Sequence, residues 1–306
     1  MARTFEVTIL GTGSAKPTKQ RLPSAQIVRM GPKQFLVDCG EGTQLQMMRK
    51  GIKFNNIQAI FISHLHGDHI LGLPGYISTL SLHNRTKKLH IYGPPGVEDL
   101  VQLVLKIGRT HLSFEIEYHI VPKAPFSQII DEFGYSVYAV ALKHRIECYG
   151  YIFEEAGPDR SILKEACELN DVPLHFYEKL RMGEDFEHSN GQVNKNVDLT
   201  VSAAPHRKYS YMSDTIYDPS IVPYISKSDL LYHESTFLHA LEARAKETFH
   251  STAKQAGIIA HQAEAKELLL GHFSSRYSDV SAFEEEAKIE FPNTSIAREG
   301  QTYTIK

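Results

Sequence analysis

The sequence predicts an α/β (α+β) fold in which two layers of β-sheet carry helices on their outer sides. Three observations support that expectation. Short apolar runs rich in β-branched and aromatic residues recur along the chain, many of them followed by helical periodicity. Several of these runs close on a residue able to bind a metal: Phe61 ahead of His64, Leu142 ahead of His144, Met212 ahead of Asp214 and Leu270 ahead of His272. The same order of strand, ligand and helix occurs in both halves. Two stacked sheets would bring these strand ends to one edge, where functional side chains tend to collect. No short-period repeat of solenoid type is present.

In chain order, Phe5 to Leu10 alternates as a strand and runs into Gly11-Thr12-Gly13-Ser14. This loop lacks the third glycine and the lysine of the nucleotide fingerprints, so it reads as a tight turn beside a metal site. The loop Pro17-Thr18-Lys19-Gln20-Arg21-Leu22-Pro23 follows, with Lys16, Lys19 and Arg21 close together. By composition alone it reads equally well as a solvated loop. Ala25 to Met30 and Gln34 to Val37 form a hairpin through Gly31-Pro32, and a helix runs to about Lys50. Gln58 to Ile62 is a buried strand. Leu71 to Leu82 is helical, Leu89 to Tyr92 a strand and Val97 to Ile107 a helix. Phe114 to Val121, Tyr135 to Leu142 and Tyr149 to Phe153 are strands.

From about Glu154 to Asn196 apolar periodicity weakens and acidic residues outnumber basic ones. This stretch reads as an insertion that projects from the body without a core of its own. Asp198 to Ala203, Tyr209 to Met212, Leu230 to Glu234 and Leu268 to Gly271 are strands. A helix starts at Phe237, and Ser251 or Thr252 caps the next, Ala253 to Glu264. A helix from Val280 to Phe291 and a strand from Thr302 to Ile305 close the chain.

Bulk composition narrows the class. The 306 residues suffice for one large domain or two small ones, and 42% hydrophobic with 23% charged residues is ordinary for a globular protein. No stretch approaches the about 18 apolar residues of a membrane span, and Met1 to Val7 has no signal core. Cys39, Cys148 and Cys167 are an odd set without ligand spacing, which suggests reduced thiols and a cytoplasmic protein. A net charge of −3 argues against a broadly basic nucleic-acid binder and leaves room for a local basic lane.

The chemistry centres on Ser63-His64-Leu65-His66-Gly67-Asp68-His69. Imidazoles and a carboxylate are ligands for zinc and its neighbours. His64 and His66 share a face if the strand continues, and a turn at Gly67 swings Asp68 and His69 around. Neither pair fills a tetrahedral shell, so further ligands are required. His144, Asp214, His233, Glu234, His250 and His272 are the candidates. We assign His64, His66, His144 and Asp214 to one metal, and Asp68, His69, His272 and a bridging Asp214 to the other. His83, His90, His111, His119, His175, His188, His206, His239 and His261 remain background.

The histidine stretch resembles the signature of metallo-β-lactamase-fold hydrolases. More narrowly, the chain resembles the ribonuclease Z family of transfer-RNA 3′-end endonucleases. The narrower match rests on Pro17-x-Lys19-x-Arg21, Asp38-Cys39-Gly40-Glu41-Gly42-Thr43-Gln44, Ser213-Asp214-Thr215, His233-Glu234-Ser235-Thr236-Phe237 and His272-Phe273-Ser274-Ser275-Arg276-Tyr277. The resemblance implies a four-layered αββα metallo-β-lactamase sandwich with the ligand set above, holding two Zn2+ per subunit, or Mn2+ or another divalent ion in their place. It implies cleavage of precursor tRNA with Asp68 orienting water and taking its proton, His250 as general acid and Glu234 orienting an imidazole. Residues 154–196 correspond to a flexible tRNA-gripping arm in a homodimer. Lys179 and Arg181 would contact RNA there, and Lys19 and Arg21 at the cleavage pocket. The family's glycine- and proline-rich arm stretch is replaced by Asp171 to Arg181, and Ser213 stands where glycine is frequent. The rival expectation is a phosphodiesterase of the same fold acting on small molecules.

Overall fold

The computed structural model describes residues 4–132, 134–155, 160–201 and 206–306. The chain first lays down β1 (Phe5–Gly11), β2 (Ala25–Met30), β3 (Lys33–Val37), β4 (Ile57–Phe61), β5 (Leu89–Gly93) and β6 (Ile116–Ile120). It then builds β7 (Phe126–Glu132), β8 (Tyr135–Leu142), β9 (Cys148–Glu155), β10 (Lys208–Met212), β11 (Leu230–Glu234), β12 (Leu268–Gly271) and β13 (Thr294–Ile296). The terminal β14 (Thr302–Thr304) returns to pair antiparallel with β1. The result is two seven-stranded sheets, ordered β14-β1-β2-β3-β4-β5-β6 and β13-β12-β11-β10-β9-β8-β7.

Three hydrophobic clusters define four layers. Between the sheets lies an aromatic core that includes Phe5, Phe35, Phe61, Tyr151, Phe153, Tyr209, Tyr211 and Tyr232. Each fully buried ring contributes about 1.5–3 kcal/mol. Outside the first sheet, Ile60 and Ile62 meet Leu73, Ile77 and Leu80 from helix Leu73–Leu82 and Val101 from helix Val97–Ile107. Outside the second, Leu231, Leu268 and Leu270 meet Ala256, Ile259 and Ala260 from helix Ala253–Gln262, with Phe283 from helix Ser281–Glu290. Covered on both faces, β11 and β12 are buried throughout, so they read as continuous apolar runs and do not alternate.

Strand direction decides where the site falls. β10, β11 and β12 run parallel to one another. β8 runs the same way, because β9 is antiparallel to both β8 and β10. The residues after β8, β10 and β12, which include His144, Asp214 and His272, therefore leave the second sheet at one edge.

Several expectations are corrected. β7 escaped notice because most of it is exposed at a sheet edge, and β13 because it has only three residues. The expected strand Asp198 to Ala203 is instead a helical turn, Asn196–Leu199, followed by strand Thr200–Val201; its last residues lie outside the described ones, as do 156–159 of the insertion. The insertion was expected to lack a core. Residues 160–201 have one, formed by Cys167, Val172, Leu180, Phe186 and Leu199. Ser161–Ile162 pairs with Thr200–Val201 to close this unit. The buried Asn196 side chain donates to the carbonyls of Leu180 and Glu184 at 2.7 and 2.8 Å.

Candidate metal centre

Beyond β4 the chain runs without regular structure to His66, itself extended, then coils into a helical turn over Gly67–Ile70. The His64 and His66 ring nitrogens come together, while Asp68 and His69 sit on the helical turn. Two flanking strand ends reach the site by left-handed residues, Asp38 at φ 55° and His272 at φ 60°. Asp and His are among the residue types that adopt this conformation most readily. Gly40 lets the backbone close tightly behind the site: a Cβ there would lie 2.5 Å from the Asp68 carbonyl oxygen.

Two donor sets converge. His66 Nδ1 lies 3.0 Å from His64 Nε2 and 3.1 Å from His144 Nε2, and Asp214 Oδ2 is 3.5 and 3.9 Å from the two Nε2 atoms. In the second set, His69 Nε2 and His272 Nε2 are 3.3 Å apart, and Asp68 Oδ2 is 3.5 and 3.4 Å from them. Asp214 Oδ1 completes it at 3.4 and 3.2 Å. Tetrahedral zinc with bonds of about 2.0–2.1 Å has ligand-to-ligand edges of about 3.3 Å. Both sets fit that dimension, and Asp214 offers one oxygen to each. Its Oδ1 is buried and finds no hydrogen-bond donor among the described residues.

The outer nitrogens fix the tautomers. His69 Nδ1–H donates to Asp38 Oδ2 at 2.7 Å and His144 Nδ1–H to the Phe249 carbonyl at 2.9 Å. Ser63 donates its hydroxyl to Asp38 Oδ2, leaving its oxygen to accept from His64 Nδ1–H at 3.0 Å. Thr236 donates to Glu234 Oε2 and accepts from His272 Nδ1–H at 2.9 Å. Each Nδ1 proton is pinned outside, so the four Nε2 atoms face inward. Outer partners of this kind are characteristic of histidine metal ligands.

Charge reinforces the geometry. Burial opposes ionisation of Asp214 and Asp68, yet the neighbouring imidazoles hold both carboxyls below their ordinary range, Asp214 far below. Burial and the adjacent His69 keep His64 neutral. His69 is pushed well up despite burial, because Asp214, Asp38 and Asp68 surround it. A proton on its Nε2 occupies the direction a cation would take, so metal binding would release that proton.

A family model described as Anti-Pycsar protein Apyc1 matches residues 5–155. The ribonuclease Z of Parabacteroides distasonis is 44% identical over 301 residues, covering 98% of this chain and 99% of that protein. The ribonuclease Z of Porphyromonas gingivalis is 45% identical over 295 residues, covering 96% and 97%. The chain belongs to the ribonuclease Z family. Human tRNase Z, short form, superposes with a TM-score of 0.74 at 28% identity, covering 98% of this chain and 99% of that one. The metallo-β-lactamase fold protein YhfI from Bacillus subtilis shares the αββα architecture at 18% identity, with a TM-score of 0.69 and coverage of 98% and 99%.

Around the two donor sets, the other expected residues fall in different places. His250 sits beside them, its Nδ1 donating to Glu234 Oε1 at 2.8 Å and lying 4.0 Å from Asp214 Oδ2. Against burial, Glu234 raises the His250 imidazole to about 9. Glu234 also accepts from the backbone N–H groups of Thr215 and Thr236, which locks it in place. Lys19 is exposed. Arg21 is buried, unlike a side chain free to meet substrate: its guanidinium donates to the carbonyls of Ser274 and Tyr277, and it lies over the Phe273 ring. Lys179 and Arg181 are exposed on helix Tyr177–Arg181 of the inserted unit, Lys179 paired with Glu184 at 3.8 Å. His233 turns away and donates to the Glu234 carbonyl.

Sequence reasoning passed over Asp38, Ser63, Tyr211 and Thr236. Asp38 accepts from His69, from the Ser63 N–H and hydroxyl at 2.7 and 2.9 Å, and from Tyr211 Oη at 2.6 Å. Its signal was visible: like the ligands, it is an acidic residue at a strand end. Ser213 gains a purpose too, its hydroxyl donating to Ser63 Oγ at 3.1 Å. Asp38→Asn removes the anionic acceptor behind His69, and zinc affinity measured by chelator competition should fall about 10- to 100-fold. Unchanged affinity would show that Asp38 only holds the fold.

Proposed function

We propose that this chain hydrolyses the phosphodiester bond joining a 3′ trailer to precursor tRNA, leaving a 3′-hydroxyl on the tRNA and a 5′-phosphate on the trailer. The observation that carries this reading is Asp214, which turns Oδ2 to His64 and His144 and Oδ1 to His69 and His272, in a chain of the ribonuclease Z family. His64, His66, His144 and Asp214 would hold one zinc ion, and Asp68, His69, His272 and Asp214 the other. Bound divalent cations supply Lewis acidity and neutralise charge on the phosphate.

Asp68 acts as general base and takes the proton of the attacking water. Its Oδ2 accepts from the Ala15 N–H at 2.6 Å, which sets the carboxylate's direction. His250 donates a proton to the departing 3′ oxygen, and Glu234 keeps it oriented and charged for that step. Lys19, exposed in the same loop as Ala15, contacts the RNA next to the cut. Arg21 shapes that loop by tying it to Ser274 and Tyr277. Lys179 and Arg181 bind tRNA phosphates through the inserted unit, and two subunits pair so that the arm of one serves the centre of the other. The free, buried cysteines suit a cytoplasmic enzyme. No helix among the described residues is long and apolar enough to cross a membrane.

End-mapping of products from a precursor tRNA tests the activity: one cut is expected at the trailer junction, abolished by Asp68→Ala. Turnover of a small chromogenic phosphodiester with the precursor left intact would favour the small-molecule reading. His250→Ala should lower kcat by about 10²–10⁴ without changing metal content. An unaltered kcat would assign the acid elsewhere. The Lys179→Ala, Arg181→Ala double variant should raise KM for precursor tRNA and flatten its salt dependence while sparing the small phosphodiester. Equal KM values would remove the arm from RNA binding.

A further inference from the structure

A second group of metal-ligand side chains lies away from the ribonuclease Z centre, on the edge of the first sheet. β5 and β6 pair in parallel with His90 opposite Glu117 and Tyr92 opposite His119. Residues two apart on a strand share a face, so all four side chains point the same way. His90 also pairs with Ala59, several residues upstream of the histidine turn, so the group is distinct from both donor sets already described.

The donor atoms converge. His90 Nδ1 and His119 Nε2 are 3.0 Å apart. Glu117 places Oε2 3.9 Å from the first and Oε1 3.7 Å from the second. Those separations approach the edge of a zinc tetrahedron, as in the catalytic centre. Tyr92 stacks on His119 with centroids 4.3 Å apart and planes 11° apart, which fixes the imidazole plane. Lys88 Nζ competes for Glu117 at 2.8 Å, but it has a second carboxylate, Glu115, at 3.3 Å to fall back on. His90 lines a cavity of about 440 Å³, which gives an ion a route in from solvent.

We infer that His90, Glu117 and His119 form a further binding site for a zinc-like divalent cation, one that ties the edge strand β6 to β5. β6 has no fully buried residue and packs on the core only through the partly buried Ile116 and Tyr118, so a cross-strand ion would add restraint.

Metal counting decides the matter. Untagged full-length protein, stripped with a chelator and re-equilibrated with zinc, should hold one zinc ion more per chain than His119→Ala or Glu117→Gln. Trailer cleavage and circular dichroism should be the same in all three, because these residues lie outside the catalytic machinery. The Glu117→Gln variant keeps the side-chain shape, so a loss there reflects the ligand and not the fold. Equal zinc content in the wild type and Glu117→Gln would overturn the inference and leave a His90–His119 hydrogen bond beside a surface ion pair. Because the readout is the difference in bound metal, it stands or falls separately from the RNA-cleavage reading.

Discussion

Asp214 carries the constraint on which the centre is built. A carboxylate removed from water without donors is strongly disfavoured and would ordinarily take up a proton. Here Asp214 is buried, yet the imidazoles of His272, His69 and His64 hold it ionised. Its two oxygens address different donor sets, which makes it the one residue belonging to both. Positive charge is favoured on each side of it, and the two donor sets are consistent with a pair of divalent cations.

The fold makes this affordable by concentrating polar groups at one sheet edge. The inner carboxylates, Asp68 and Asp214, face the ligand space, while Asp38 and Glu234 hold outer N–H and O–H groups. Each outer carboxylate is itself saturated. Asp38 takes donors from His69, Ser63 and Tyr211, and Glu234 takes them from His250, Thr215 and Thr236. Buried networks of this kind rigidify a site when every member is satisfied. The aromatic core between the sheets anchors them, since Tyr211 belongs both to that core and to the Asp38 network.

Much of this was legible before any coordinates. The candidate ligands announce themselves because each follows a strand whose apolar run is easy to read, and the parallel pairing of β10 to β12 brings their ends together. The supporting layer was harder to see. Asp38, Ser63, Thr236 and Tyr211 are ordinary residue types whose role depends on contacts across long stretches of sequence. Arg21 was hard to place for the same reason: a basic residue in a polar loop reads equally well as solvent-facing, whereas the chain folds Ser274 and Tyr277 over it. The inserted unit hid its small core because Cys167, Val172, Leu180, Phe186 and Leu199 follow no single period. His90 and His119 passed as background because their convergence arises only from the register between β5 and β6.

The claim that one buried carboxylate is shared between two cations is open to a direct look. Crystals of the zinc-loaded protein, measured on both sides of the zinc absorption edge, should show two anomalous peaks flanking Asp214, about 3.5–4 Å apart. One oxygen of that side chain should point to each. A single peak beside Asp214, or zinc bound with Asp214 turned away, would contradict the account.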